Sequence, residues 1–225
     1  MRNSKGFTLV ELAVVLVIIG IILGAVIKGQ DLIVNAQAKQ ISSAASSWRN
    51  LAFAYLDRNG RLPGDGSRNG IIGDALPAAP TPAETANLGT SIAQIVNTMA
   101  HAPANPVTAG GMSFSMYFGH VTAAVGTRNA IVICKDAGCT TAFSADELEI
   151  IKSMDAAYDG NADAGLGQMR AATAVTVSAE LGPVNTRAER VVTAATLANN
   201  TTAGAATDWN TTTHLAAVWL FDRTF

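Results

Sequence analysis

Residues 5–12 read Lys5-Gly6-Phe7-Thr8-Leu9-Val10-Glu11-Leu12, and an apolar run follows them to Ile27. Ahead lies a short basic leader, residues 1–6, with Arg2 and Lys5. From Phe7 to Ile27 the only charged side chain is Glu11. A bilayer core of about 30 Å needs roughly 20 apolar residues in helix, and this run meets that length. Basic residues before the run and the bulk of the chain behind it predict one crossing, with the leader cytoplasmic and the rest exported. An ordinary secretory signal would carry a small-residue cleavage site after its apolar part. Gly29-Gln30-Asp31 offers none, so the segment is expected to be retained.

Glu11 is out of place in such a run. A carboxylate at the centre of a spanning helix costs roughly 2.5–3.5 kcal/mol on insertion scales, and less near an end. One reading lets Glu11 reach the headgroups. The other has it neutralise a positive charge inside the membrane. A cut after Gly6 would create that charge, a new α-amine on Phe7, on the same chain or on a neighbouring one.

Gly6-Phe7-Thr8-Leu9-Val10-Glu11-Leu12 after a short basic leader resembles the type IV prepilin and type II secretion pseudopilin signature. The resemblance covers about the first 30 residues. It implies that a prepilin peptidase cuts between Gly6 and Phe7 and that Phe7 is then N-methylated. It also implies that Glu11 pairs with a neighbour's Phe7 amine as subunits assemble on an inner-membrane platform. The implied place is the bacterial inner membrane and then a pilus or pseudopilus filament, the partners being other pilins. Gly20 and Gly24 form a G-x-x-x-G pair, which permits close helix contact in membranes, although glycine is also common in spanning helices. Many relatives carry a proline near the membrane exit, where this chain reads Ala25-Val26-Ile27-Lys28.

Beyond the run, Val34, Ala38, Ile41, Ala45, Trp48, Ala52 and Tyr55 recur at alternating fours and threes, one face of an amphipathic helix. No proline interrupts before Pro63, and Asn59-Gly60 supplies a C-terminal cap. One helix over residues 7–58 is therefore predicted, about 75 Å long at 1.5 Å per residue. The expected fold is α+β and pilin-like, a long N-terminal helix packed on a small antiparallel-sheet head. Its divisions are the leader 1–6, the transmembrane and assembly helix 7–30, the amphipathic continuation 31–60 and the extracytoplasmic head 61–225.

Within the head, Thr81-Pro82-Ala83-Glu84 opens a helix to about residue 100, and Ser144-Ala145-Asp146-Glu147 opens another to about residue 157. Strands are expected over 113–121, 130–134, 171–180 and 214–221, with a further helix over 186–199. Charged residues make up 14% of the chain, aromatics 6%, and mean hydropathy is +0.26. A modest, alanine-rich core follows. From Asp31 onward 12 Lys and Arg face 16 Asp and Glu, a net of −4. An acidic head argues against nucleic-acid binding, which needs clustered Lys and Arg.

Cys134 and Cys139 flank Lys-Asp-Ala-Gly, a turn-prone tetrapeptide, and a thiol pair in an exported domain oxidises. A disulfide is predicted; a half-built metal site lacks a nearby His or third Cys. Asp159-Gly160-Asn161-Ala162-Asp163 places oxygen ligands at alternate positions, as a calcium loop does, and Asp155 could add a carboxylate. The EF-hand pattern is broken twice, by Ala164 at the sixth position and Arg170 at the twelfth. Some pseudopilins hold calcium in the head, so two readings stand, a non-EF calcium site and a hydrogen-bonded Asx loop. No other cofactor is suggested. His101, His120 and His214 share no ligand spacing, and no phosphate loop, dinucleotide fingerprint or nucleophile elbow is present. The chain reads as a structural filament subunit, not an enzyme. The size of the head suggests a minor or specialised pilin. The alternative is a filament-tip binding module, an adhesin or DNA-uptake pilin.

Overall fold

The computed structural model describes residues 7–63, 65, 69–72, 103–123, 126–177, 191–197 and 207–222. One helix, α1 (Leu9–Asn59), runs without a break through the apolar stretch and its amphipathic continuation. Gly60 stops it in the left-handed conformation, φ 67°, and its N–H donates to the Leu56 carbonyl. Glycine takes this conformation without the Cβ clash that other residues meet.

Six strands follow, β1 (Val107–Ala109), β2 (Met112–Ala123), β3 (Gly126–Cys134), β4 (Met169–Val177), β5 (Val191–Leu197) and β6 (Ala216–Leu220). A second helix, α2 (Ala145–Asp159), lies between β3 and β4. The sheet order is β1-β2-β3-β6-β4-β5. All neighbours in that order are antiparallel, but β2 also pairs with β5 in parallel, Phe118 with Val191 and Gly119 with Val192. That extra pairing closes β2, β3, β6, β4 and β5 into a ring.

Closure gives the sheet two buried faces, and β6 shows why its sequence is apolar throughout. Ala217 and Trp219 point to the helices, whereas Ala216, Val218 and Leu220 point into the ring. β3 alternates in the same way, Ile131 and Ile133 outward, Ala130, Val132 and Cys134 inward. Strands covered on both sides read as continuous apolar runs. The outer core joins these residues to the helices. Ala38, Ile41, Ala45, Trp48, Ala52 and Tyr55 of α1 and Leu148, Ile150, Ile151 and Met154 of α2 form it with Phe114, Phe118, Met169 and Trp219. The predicted α1 face is the buried one, save that Val34 is partly buried. α1 and α2 are tied by polar bonds too, Ser42 Oγ to Tyr158 OH at 2.6 Å and Ser153 Oγ to Asn35 Oδ1 at 2.7 Å.

Four predicted strands appear with shifted ends. β2 and β3 start earlier than expected, β4 begins at Met169, and β6 is shorter than 214–221. The helix expected over 186–199 is corrected. Residues 191–197 form β5, laid against β4 on one side and β2 on the other. Its Val191, Val192, Thr193 and Thr196 are β-branched, a bias toward strand that helical spacing of apolar residues obscured. β1 has no counterpart among the expected strands, because three residues are too short for a periodic signal. The helix expected over 81–100 and His101 lie outside the described residues.

Candidate functional site at the start of the helix

The cap of α1 is built by two residues of the opening stretch. Thr8 takes extended backbone angles, and its hydroxyl oxygen accepts the Glu11 N–H at 3.3 Å. Glu11 reaches back, its Oε2 accepting the Thr8 N–H and the Thr8 hydroxyl, both at 2.8 Å. This is a capping box, in which the first turn's unpaired N–H groups are satisfied by side chains. Its sequence signal is Thr8-x-x-Glu11, the same pattern as Ser144-x-x-Glu147. The Glu11 carboxylate is thus folded toward the N-terminal end of the helix, where Phe7 stands, 88% exposed. Gly6, the residue expected before the cut, lies outside the described residues.

Beyond this cap, residues 9–33 of the helix pack against none of the described residues of the head. α1 holds a window of 18 residues with mean hydropathy 3.0, and none of it is buried. Large apolar side chains are exposed from Phe7 through Ile33. Beyond the local helix backbone, no described atom lies within 4 Å of a Cβ placed at Gly20 or Gly24. Among the described residues the head meets α1 from Val34 onward. Residues 9–33 at 1.5 Å each span about 37 Å, more than the hydrocarbon thickness of a bilayer.

Residues 1–27 match the family model for the prokaryotic N-terminal methylation motif. The chain carries the type IV pilin and pseudopilin signature. Comparison with curated proteins and with solved structures finds no match. The long free helix and the α+β head give this pilin-signature chain a pilin-like architecture. The motif points to a structural subunit that assembles with other pilins after prepilin peptidase processing.

In the head of this pilin-like chain the predicted disulfide is formed between Cys134 and Cys139, at the end of β3. Asp136 organises the intervening turn. Its Oδ1 accepts the Gly138 N–H at 2.6 Å, and its Oδ2 accepts the Thr141 N–H at 2.7 Å. From inside the ring, the Tyr117 hydroxyl donates to the Ala137 carbonyl at 2.9 Å.

The residues weighed as calcium ligands are brought into one loop after α2, and backbone amides occupy their carboxylates. Asp159 accepts the Gln168 N–H at 3.0 Å and the Met169 N–H at 2.8 Å. Asp163 Oδ1 accepts those of Gly165 at 2.8 Å and Thr207 at 3.0 Å. Asp155, fully buried, accepts the Asp163 N–H at 2.7 Å and the Trp209 indole N–H at 2.8 Å, both on Oδ2. Its Oδ1 has no hydrogen-bond partner. Burial, with the Asp159 charge adding to it, pushes the Asp155 carboxyl up to about 7. Asn161 is exposed at the loop's start. Among the described residues no group of three or more His, Cys, Asp or Glu is placed to hold a metal ion. The geometry is that of an Asx-type loop linking α2, β4 and the segment before β6.

The histidines have structural bonds. His120 Nδ1 lies 2.7 Å from the Ile72 carbonyl, and buried His214 accepts the Asn210 N–H at 3.2 Å. One organising residue left no signal in the sequence, Asn129 in β3, buried and bonded to two distant chain segments.

Proposed function

We propose that this protein is a minor or specialised subunit of a type IV pilus-like or type II secretion pseudopilus filament. In this reading it crosses the inner membrane once, leader inside and head outside, until a prepilin peptidase removes residues 1–6. The observation that carries the reading is the methylation motif continuing into a helix whose apolar half is left bare by its own head. An apolar helix of that length needs lipid or an equally apolar bundle of neighbours, and a filament core supplies the second.

Glu11 sets the axial register. The capping box holds its carboxylate at the N-terminal end of the helix, and in this reading processing creates the Phe7 amine at that same end. A buried acid without a cation is costly, and buried charge pairs are best attested as register devices. Mass spectrometry of the native N-terminus is expected to find N-methylated Phe7; an intact Met1 would refute the reading. Glu11→Ala is expected to insert normally but to lower filament yield severely, and wild-type yield would remove the register role. Outside residues 7–33 the exposed large apolar side chains among the described residues are Phe53 and Leu166, which do not favour a tip-binding module. Asp155, Asp159 and Asp163 serve the fold in this reading, so added calcium is expected to leave Tm unchanged.

A further inference from the structure

The chain leaving α1 and the chain leaving β6 meet at one side chain. Asn129 sits in β3, 2% exposed. Its amide nitrogen donates one hydrogen to the Gly70 carbonyl at 2.7 Å and the other to Asp222 Oδ2. Its amide oxygen accepts the Ile72 N–H at 2.7 Å. Its backbone N–H donates to Asp222 Oδ1 at 2.7 Å, and its carbonyl accepts the Phe221 N–H at 3.2 Å. Every polar group of the residue is in use, and the side chain alone spans both segments. A carboxylate has no hydrogens for Gly70 and Asp222, and an aliphatic side chain has no polar groups at all.

The flanking bonds finish each side. On the α1 side, Asp65 is buried and accepts the Asn69 N–H at 3.2 Å and the Gly70 N–H at 2.9 Å. Ile72 is fully buried in the outer core, with its carbonyl against His120. On the β6 side, Arg128 donates through Nε and Nη2 to the Asp222 carbonyl at 2.9 and 2.7 Å. Phe221 stands edge-on to Phe53 of α1, ring centres 5.9 Å apart. The far end of the stem helix, the segment following it and the last strand therefore converge on one place.

We propose that Asn129 is a clasp that docks the segment leaving α1 and residues 221–222 leaving β6 as a single unit, so that neither opens without the other. Buried hydrogen bonds that share one side chain are coupled, because losing one partner leaves the amide unsatisfied in a dry site. The clasp thereby ties the stem to the head at its distal end, independently of how the N-terminal half of α1 is used.

Hydrogen exchange of the full chain in detergent micelles tests this. Asp222→Ala touches the β6 side, yet its expected effect reaches across the clasp, with exchange in residues 69–72 about tenfold faster than wild type. Asn129→Ala is expected to speed residues 69–72 and 221–222 together, with α2 rates unchanged as the check that the head stays folded. Acceleration confined to residues 129–130 and 221–222 in Asp222→Ala would overturn the proposal. So would release of one segment alone in Asn129→Ala. Should Asn129→Ala unfold the head, Asp222→Ala decides by itself.

Discussion

Asp155 shows how one buried acid makes the head sensitive to pH. One of its oxygens is bound by Trp209 and the Asp163 N–H, and the other has no donor. Its carboxyl is pushed from the ordinary 3.8 up to about 7 by burial first and by Asp159 second. Between those two values the folded chain holds a proton that the unfolded chain has lost. The stability this contributes is therefore full at low pH and is lost as pH rises through about 7. A loss of up to ~4 kcal/mol between pH 4 and pH 8 is expected from this group. Asp155→Asn keeps an oxygen for Trp209 and cannot ionise, so it should flatten that slope; chemical denaturation at several pH values measures it. Gly167 is the second residue with a sharp expectation. Its φ is +80°, and a Cβ there would run into the Asp159 carboxylate. Gly167→Ala should lower stability by about 1–3 kcal/mol, read as a drop in Tm. Neither effect was legible in one dimension. The acids were visible as a spaced set, but which oxygens meet amides depends on how the loop folds onto β4 and β6.

At the scale of elements, the two capped helices and four of the strands followed from local rules, and the helix expected over 186–199 did not. Both capping boxes obey the local rule, Thr8 with Glu11 and Ser144 with Glu147. The alternating face of α1 matched its buried side because a helix repeats every 3.6 residues whatever it packs on. β5 went the other way. Its seven residues, Val191–Leu197, space their apolar positions as a helix would, and pairing with strands distant in the chain makes them a strand. The disulfide element supports a prediction of its own. Cys134 and Cys139 are five apart, so the bond closes a very short loop, and a loop of that size is worth about 2 kcal/mol. Asp136 already holds the same turn through backbone amides. Reduction, or the Cys134→Ser/Cys139→Ser pair, should thus destabilise the head by about 2 kcal/mol without unfolding it. Circular dichroism with and without reductant checks this.

Considered whole, the molecule has two bodies of apolar surface with opposite fates. The ring and its helices bury theirs; residues 7–33 leave theirs open. None of the open side chains contributes to either core, so a chain lacking residues 1–33 is expected to stay folded with the Tm of the full head. Purification without detergent, followed by thermal melting, measures that outcome. Ring closure pairs β2, β3, β4, β5 and β6 on both sides and leaves β1, three residues long, as an edge strand, and so short an edge favours a soluble truncated head. The amino-acid sequence by itself determined the stem: its length, its bare apolar half, its capped start with Glu11, and the signature that says how such chains are processed. These are local properties, set by side chains within one or two turns of each other. The tertiary structure alone decided that the sheet closes, that β5 belongs to it, that the acids of the loop bind amides, and that Asn129 joins two distant segments. Those features depend on residues tens of positions apart meeting in space, and no spacing rule along the chain encodes such meetings.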